Sequence, residues 1–303
     1  MRGKLTLDSA ASAYTISGIW TSDSSYNGKT YVKSDCSPGT FVISKSTRLR
    51  PLDGYYEKTD IKNARETPYA SLRETDVAFA KRIWRDIDVR EKMNRYMASP
   101  KQRLIDVLMK AVASGEITPF DPTPTKEDPG GDSFTRRFTA EQAKSRMADS
   151  AVVDKFDKDG NKIGSEFRAG EFNPDSVVRF RIKEDWVFNK ALSVFEPRII
   201  GIAPMIKPKA AGLNLPFQPA FWIYFPQARR VLANKEVQNR NNDATALSYD
   251  DTFMKRLFTS YIIKQSNDKD ERISDYKQGA DQLREAEKAK KALMDWELGL
   301  WHN

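Results

Sequence analysis

The clearest pattern of hydrophobic and polar positions in this chain is an alternation near its middle. Every second residue from 180 to 188 is apolar except Glu184, and the residues between them are mostly charged. A period of two is that of a β-strand, so this segment is predicted to have one apolar and one solvated face. Because a carboxylate on an apolar face needs a cationic partner, we expect Glu184 to meet an arginine across the sheet.

Two further apolar runs predict neighbouring strands. Val194 to Ile206 is too continuously apolar for a half-exposed strand and is typical of burial on both faces. Only residues 191–193 separate it from the first strand, so the two are predicted to form an antiparallel hairpin. Phe221 to Phe225 is the third run, and Pro226 ends it because proline lacks the N–H that a strand ladder needs.

Five other segments repeat apolar residues at helical spacing and are predicted to be amphipathic helices. They are Asp76 to Met93, Leu104 to Val112, Thr139 to Ala148, Ser248 to Tyr261 and Tyr276 to Trp301. Ser99, Thr139 and Ser248 are each expected to cap a helix N-terminus, the first two within capping boxes completed by Gln102 and Gln142. Gly115 fits the left-handed position after the second helix.

Together these elements predict an α+β fold, a mostly antiparallel central sheet packed with helices that include a long C-terminal one. Residues 121–132 are rich in proline and glycine and predict an exposed loop. Phe156 to Glu166 predicts a hairpin around Asp159 and Gly160. We expect a domain over residues 61–303, preceded by an extension over residues 1–60 that is a loose arm or, alternatively, donates a strand to a neighbouring subunit.

Composition and motifs argue against disulfide bonds within the chain, metal sites and the common catalytic sites. Cys36 is the single cysteine, which excludes an internal disulfide framework, and His302 is the single histidine, which argues against His-based metal or triad sites. GxSxG, Walker A, GxGxxG and HExxH motifs are absent from the sequence. A calcium loop starting at Asp157 fails because Arg168 stands where its bidentate glutamate belongs. We therefore predict no catalytic residues, no cofactor and no metal.

The net charge and the apolar runs are compatible with several classes of partner. The net charge of +8 suits nucleic acid, an anionic membrane surface or an acidic protein. No apolar run approaches the roughly 20 residues that span a bilayer, and the first residues contain no recognisable signal peptide. The aromatic run from 221 to 225 beside Arg229 and Arg230 allows stacking on bases, although strand burial explains the aromatics and a protein interface explains the arginines.

The end of the chain is a second candidate contact surface. The apolar stripe of the last helix continues through Trp296 and Leu300 to Trp301, where helices normally fray. These side chains are expected to cover the chain's own sheet or to contact a neighbouring subunit, for which tryptophan is a common anchor. The predicted partner-binding residues are Arg229, Arg230, Trp296, Leu300 and Trp301.

The wording of several long segments resembles the GldN/PorN family of the type IX secretion and gliding-motility apparatus. These segments are KRIWRDIDVREKMN at 81–94, FRIKEDWVFNK at 180–190, RIIGIAP at 198–204, FWIYFPQARRVLANKEVQNRNND at 221–243, SYDDTFMKRLFTSYIIKQSN at 248–267 and DWELGLWHN at 295–303. The resemblance covers most of the chain from about Arg73 onward, and several ordered segments are far more specific than one short motif.

This resemblance implies a function that the periodicities do not. It implies a periplasmic, non-enzymatic structural subunit, peripheral to the outer membrane, that assembles with a GldK/PorK-like lipoprotein into a ring. It also implies self-association in that ring and coupling to a GldM/PorM-like motor component. A basic nucleic-acid-binding module is the alternative from another functional class, and an enzyme is the third.

Overall fold

A computed structural model describes residues 63–148, 172–208, 216–238 and 247–299 with their side chains, together with Ile61. The chain divides into two compact units, Met1–Glu57 and Lys58–Asn303, and the second contains all of these residues. The predicted division into residues 1–60 and 61–303 stays a prediction.

The second unit is built on a seven-stranded sheet whose strand pairs are all antiparallel. Its strands are β1 (Val77–Asp88), β2 (Pro119–Phe120), β3 (Arg179–Asn189), β4 (Val194–Ile206), β5 (Gln218–Pro219), β6 (Trp222–Tyr224) and β7 (Tyr261–Gln265). They follow the order β7-β1-β3-β4-β6-β2, with β5 also paired to β4. The predicted α+β class with a mostly antiparallel sheet is confirmed.

Six α-helices accompany the sheet in the described part of the chain. They are α1 (Leu104–Ala113), α2 (Ala140–Met147), α3 (Phe225–Ala233), α4 (Tyr249–Met254), α5 (Ile273–Tyr276) and α6 (Ala280–Leu300). Short 3-10 helices lie at Glu74–Asp76, Arg95–Ala98 and Pro174–Ser176. The predicted long C-terminal helix is therefore present as α6.

A three-stranded sheet and four strand pairs lie outside the central sheet. Their strands are Lys4–Asp8, Ala13–Gly18, Asp23–Tyr26, Lys29–Val32, Gly39–Ser44, Ala151–Phe156, Lys162–Arg168, Lys209–Ala210, Leu213–Asn214, Glu236–Val237 and Leu247–Ser248. The predicted hairpin around Asp159 is confirmed in its strands, because Ala151–Phe156 pairs antiparallel with Lys162–Arg168. Its turn residues, Asp159 and Gly160, lie outside the described residues, as does Cys36.

The segment from Asp76 to Met93, predicted to be a helix, is a strand, so that prediction was wrong. β1 lies between β3 and β7 and pairs with both. The period of two was hidden because charged residues occupy buried positions near the end of β1, where partners from other elements neutralise them. These residues are Arg85, Asp86 and Asp88.

The hairpin of β3 and β4 is confirmed, with residues 190–193 as its turn. The predicted solvated face of β3 is wrong at Arg181 and Lys183, which are buried. Ion pairs with other segments cover them, which the alternation along one strand does not reveal. On β4, burial on both faces is confirmed over residues 201–205, whereas Ile200 is half-buried.

The third predicted strand is confirmed as β6, but Pro226 does more than end it. Pro226 lies in the first turn of α3, where its missing N–H has no helical acceptor to lose. The apolar pattern did not predict α3. The helix buries Phe225, Ala228 and Leu232. Because α3 starts directly after β6, the apolar residues of the strand and of the helix form one run, and the helical spacing cannot be recognised in it.

Helix ends follow the predicted signals in part. The capping boxes of α2 at Thr139 and of α4 at Ser248 are both present, and Gly115 after α1 has a φ of +78°. The predicted cap at Ser99 is wrong, because α1 begins only at Leu104, and the Ser99 hydroxyl instead donates to the Gln238 side chain. The predicted continuation of α4 to residue 261 is also wrong, since the helix ends at 254 and Tyr261 starts β7.

The main core lies between one face of the sheet and three helices. α1, α3 and α4 bury their apolar sides against Ile87, Phe180, Ile182 and Ile202 of the strands. A smaller cluster joins α6 to the edge of the sheet through Ile83. Its other members are Ile262, Ile273, Ala286, Ala289 and Leu293. Thus helices cover one face, and the C-terminal helix covers its β7 end.

The loop over residues 121–132 covers part of the opposite face, so its predicted exposure is wrong in part. Asp128 and Asp132 are buried. The Asp128 carboxylate accepts from the backbone N–H groups of Gly131 and Ser133 and so shapes the turn. Phe134, just beyond, packs edge-on to Trp222 and leaves no room for a side chain at Gly201.

Candidate functional site

The predicted partner-binding residues lie on α3 and at the end of α6. The side chains of Arg229, Arg230 and Trp296 are described. Leu300 ends α6, but its side chain lies outside the described residues, and so does Trp301. The first three can therefore be compared with the predicted role.

Arg229 is buried and bound inside the chain. Its Nε and Nη2 donate to the two carboxylate oxygens of Asp250 at 2.8 and 3.0 Å, and Nη2 also donates to the Thr67 carbonyl. The guanidinium lies over the ring of Tyr69, 4.8 Å from its centroid. Burial tends to lower the pKa of Arg229, but the hydrogen bonds to Asp250 outweigh it and raise that pKa. These contacts join α3, α4 and the segment before β1, so Arg229 stabilises the fold.

Arg230, the next residue, points away from this cluster and is exposed. It lines a groove of about 450 Å³ with Gln227 from α3, with Asn234 and Lys235 just after this helix, and with Glu116. Within the described part of the chain, its guanidinium has no ion-pair partner. Of the two arginines, Arg230 is the one that a partner protein can reach.

Trp296 attaches the end of α6 to the sheet. Its ring stacks on Phe79 of β1 with 3.7 Å between centroids, and Phe195 of β4 lies 6.3 Å away. The side chain is still 37% exposed, so one side of the ring faces solvent. This contact corresponds to the expectation that the terminal aromatics cover the chain's own sheet.

α6 also has an exposed apolar stripe. Leu283, Met294 and Leu298 are each more than half exposed. Separations of 11 and 4 residues put them on one side of a helix. Leu283 thus lies outside the buried cluster of α6. The helix has one side for the sheet and a different side available for another molecule.

The buried charged side chains of the sheet form ion pairs. Glu184 is fully buried and meets Arg85 from β1, whose Nε donates to Oε1 at 2.6 Å. Arg256, from the loop after α4, donates to Oε2 at 2.8 Å, and Trp186 Nε1 donates to Oε1. Burial tends to raise the pKa of Glu184, but Arg256 and Arg85 outweigh it and lower that pKa. The predicted arginine across the sheet is therefore confirmed as Arg85.

Arg256 was not predicted to belong to this cluster. Its φ of +52° is rare for a residue with a side chain, and the geometry brings its guanidinium to Glu184. The prediction of a continuous helix to residue 261 placed it on the wrong element. Only the carboxylate's need for more than one donor could have indicated a second arginine.

The opposite face of the sheet contains two further buried pairs. Arg181 makes a bidentate pair with Asp86 of β1, with Nε donating at 2.7 Å. Lys183 donates to the Asp132 carboxylate and carbonyl, and Trp84 Nε1 donates to the same carboxylate. The sequence pattern predicts an exposed loop at Asp132, so it contains no signal for this contact.

This arrangement is better suited to holding strands and loops together than to proton transfer. In the clusters around Glu184, Asp86, Asp132 and Asp250, an arginine or lysine forms an ion pair with each carboxylate, and the second oxygen of Asp132 accepts from Trp84 Nε1. Over the described residues, no group of three or more His, Cys, Asp or Glu side chains is placed to hold a metal ion. Nor does any helix in those ranges have the length and apolarity needed to cross a membrane.

The aromatic run from 221 to 225 is mainly core. Phe221, Trp222 and Phe225 are buried, and Tyr224 alone among the aromatics of this run is largely exposed. Bases cannot stack on rings that are inside the protein. The interpretation of this run as buried is therefore confirmed for Phe221, Trp222 and Phe225 but not for Tyr224.

Comparisons with known proteins bear on the same region. The model of the family described as "Gliding motility associated protein GldN" matches residues 72–302, a range that contains all seven strands of the central sheet and all six helices. No curated protein matches the chain.

Proposed function

Since this chain belongs to the GldN family of gliding motility associated proteins, we propose that it is a non-enzymatic structural subunit of the type IX secretion and gliding-motility apparatus. In this proposal it assembles with a GldK/PorK-like lipoprotein into a periplasmic ring at the outer membrane. Neighbouring copies meet in the ring, and a GldM/PorM-like motor component contacts it. The observation that carries the proposal is the family match over residues 72–302.

Two features of the described residues support an assembly role. The buried carboxylates of Glu184, Asp86, Asp132 and Asp250 are neutralised by arginine or lysine, which favours a rigid scaffold over acid-base chemistry. In addition, exposed Arg230 and the stripe of Leu283, Met294 and Leu298 offer the residue types that interfaces use. A ring requires a contact between two different surfaces of neighbouring copies, repeated until the rotation closes.

The direct test is co-purification. A tagged GldK/PorK-like lipoprotein is expected to retain the untagged chain, and electron microscopy of the eluate is expected to reveal rings. Arg230→Glu should reduce retention because it reverses an exposed charge on α3, whereas Arg146→Glu, at an exposed arginine of α2, serves as the matched control. If the lipoprotein does not retain the unmodified chain, the proposed assembly is refuted.

A salt series separates this function from nucleic-acid binding. Binding to phosphates weakens steeply with salt because counterions are released, and the logarithm of affinity falls linearly with the logarithm of salt concentration. A protein interface with an apolar centre is much less sensitive. We expect the lipoprotein complex to persist at salt concentrations that remove the chain from a DNA oligonucleotide.

A further inference from the structure

A cavity of about 370 Å³ lies between the segment after β1, the start of α1 and the turn before β3. Its floor is apolar and buried, and its charged lining consists of three arginines and Asp175. The floor side chains are Val89, Met97, Ile105, Val177 and Phe180, and the arginines are Arg90, Arg95 and Arg103. Ligand sites usually combine such an apolar lining with a few polar groups that fix orientation.

The three arginines differ in how far their hydrogen-bonding capacity is used. Arg90 pairs with Asp88, and Arg103 Nη2 lies 2.7 Å from Asp175. Arg103 Nε, however, is buried and has no acceptor in the described part of the chain. A buried donor without an acceptor has lost its hydrogen bonds to water without replacement, so such a group requires a partner.

Arg95 adds an unneutralised charge to this cavity. It is exposed, and within the described ranges no carboxylate pairs with it. One free guanidinium beside an apolar floor is complementary to an anion with an apolar neighbour. A bare phosphate would satisfy the arginines but leave the floor unfilled, and a neutral apolar group would leave the arginines unpaired.

We propose that this cavity binds a short acidic segment of a partner protein. One apolar side chain of that segment lies on the floor formed by Met97 and Ile105, and the carboxylate of the adjacent residue accepts from Arg95. The choice of a protein as occupant rests on the proposed assembly role. The requirement for an apolar side chain next to a carboxylate follows from the cavity itself.

The cavity can be tested with small probes on the full chain. Acetyl-Leu-Asp-amide is the matching probe, and methyl NMR of Met97 and Ile105 reports binding at the floor. Acetyl-Leu-Asn-amide lacks the charge, acetyl-Gly-Asp-amide lacks the apolar side chain, and inorganic phosphate supplies charge alone. We expect the matching probe to shift both methyl signals and to bind several-fold more tightly than each of the other three.

Variants then test the named residues. Arg95→Gln should weaken binding of acetyl-Leu-Asp-amide several-fold, to the level of the Asn probe, while Arg284→Gln, a matched change at an exposed arginine on α6, should not. Ala98→Trp retains every charge but places a large ring in the cavity that Ala98 lines, and should abolish binding. Both substituted positions are exposed, so thermal unfolding is expected to be unchanged.

Three results would overturn the inference: no shift with acetyl-Leu-Asp-amide, equal binding of the Asn probe or phosphate, or undiminished binding by Ala98→Trp. Failure of the assembly proposal would look different. In that case the lipoprotein would not retain the chain, although the probe would still bind in this cavity. Conversely, a retained complex with no probe binding would refute the cavity and leave assembly intact.

Discussion

At the scale of single residues, the most consequential feature is the buried charge of Glu184. Its neutralisation by Arg85 and Arg256 compensates for removing a carboxylate from water, which is otherwise very costly. Asp185, the next residue on β3, has a similar partner in Arg82, but that pair is partly solvated. Adjacent residues of one strand therefore hold a buried and an exposed ion pair.

We expect Glu184→Gln to lower the free energy of unfolding by about 3–5 kcal/mol, because Arg85 would remain buried without a counter-charge. Asp185→Asn is the matched control and should cost about 1 kcal/mol or less, since water screens its pair. Urea unfolding of both variants gives the comparison. Similar losses for the two variants would mean that Glu184 is far more hydrated than its burial indicates.

A pH dependence follows from Asp88. The hydrogen bonds from Arg90 hold the pKa of its carboxyl at about 2, below the ordinary 3.8. A lowered folded-state pKa stabilises the protein above the unfolded-state pKa, and this stabilisation is lost as the pH falls through the folded-state pKa. The Asp88 carboxylate should therefore contribute fully to the free energy of unfolding above about pH 5, and this contribution should be lost between roughly pH 4 and 2.

Unfolding free energies of the wild type and Asp88→Asn, measured across this range, test that dependence. The difference between them should be constant near neutral pH and shrink toward zero at about pH 2. A difference that persists at the lowest pH would show that the charge of Asp88 is not the source of its contribution.

At the scale of elements, the β3–β4 hairpin organises the sheet. Ile202 of β4 is fully buried and lies opposite Ile182 of β3 and Ile223 of β6. It therefore packs at the centre of the main core, whereas Ile200, only two residues away, is half-buried. The position of an isoleucine along β4 therefore determines how much its side chain contributes to the stability of the fold.

Ile202→Ala should lower the free energy of unfolding by about 2–5 kcal/mol, through lost burial and the cavity left behind. Ile200→Ala should cost less, and Lys207→Ala, at an exposed position just after β4, should remain within about 0.5 kcal/mol. If the unfolding free energy of the three variants depends equally steeply on denaturant concentration, their denaturant midpoints rank their stabilities. If Ile200→Ala were the most destabilising of the three, the assigned register of β4 would be wrong.

At the scale of the whole molecule, α6 has one side that packs on the sheet and another side that is exposed. Trp296 stacks on Phe79 and fixes the helix to the sheet, whereas Leu298, two residues further along, is exposed. A helix turns by about 100° per residue, so these side chains point in very different directions. Stability and assembly can thus be separated by neighbouring substitutions.

We expect Trp296→Ala to lower the free energy of unfolding by roughly 1–3 kcal/mol. Leu298→Ser should leave stability within about 0.5 kcal/mol but reduce retention by the lipoprotein if the stripe is an interface. Thermal unfolding and co-purification of the two variants provide the measurements. Full retention of Leu298→Ser would exclude that stripe from the interface with the lipoprotein.

Local features of the sequence determined several elements without help from the rest of the chain. The hairpin of β3 and β4, the capping boxes at Thr139 and Ser248 and the left-handed Gly115 depend on residues within a few positions of one another. The partner of Glu184 was also predictable in kind, since burying a carboxylate on an apolar strand face has few acceptable solutions. The resemblance to the GldN/PorN family likewise lay in the sequence alone.

Tertiary structure decided the features that depend on partners distant in sequence. β1 is a strand because Arg85 and Asp86 meet Glu184 and Arg181 about a hundred residues later, and no periodicity within β1 encodes those partners. Lys183 is buried because Asp132 covers it from a loop that resembles solvent-exposed sequence. The sequence pattern of a charged residue is the same whether the side chain is solvated or buried in an ion pair, so only the packed fold distinguishes the exposed case from the buried one.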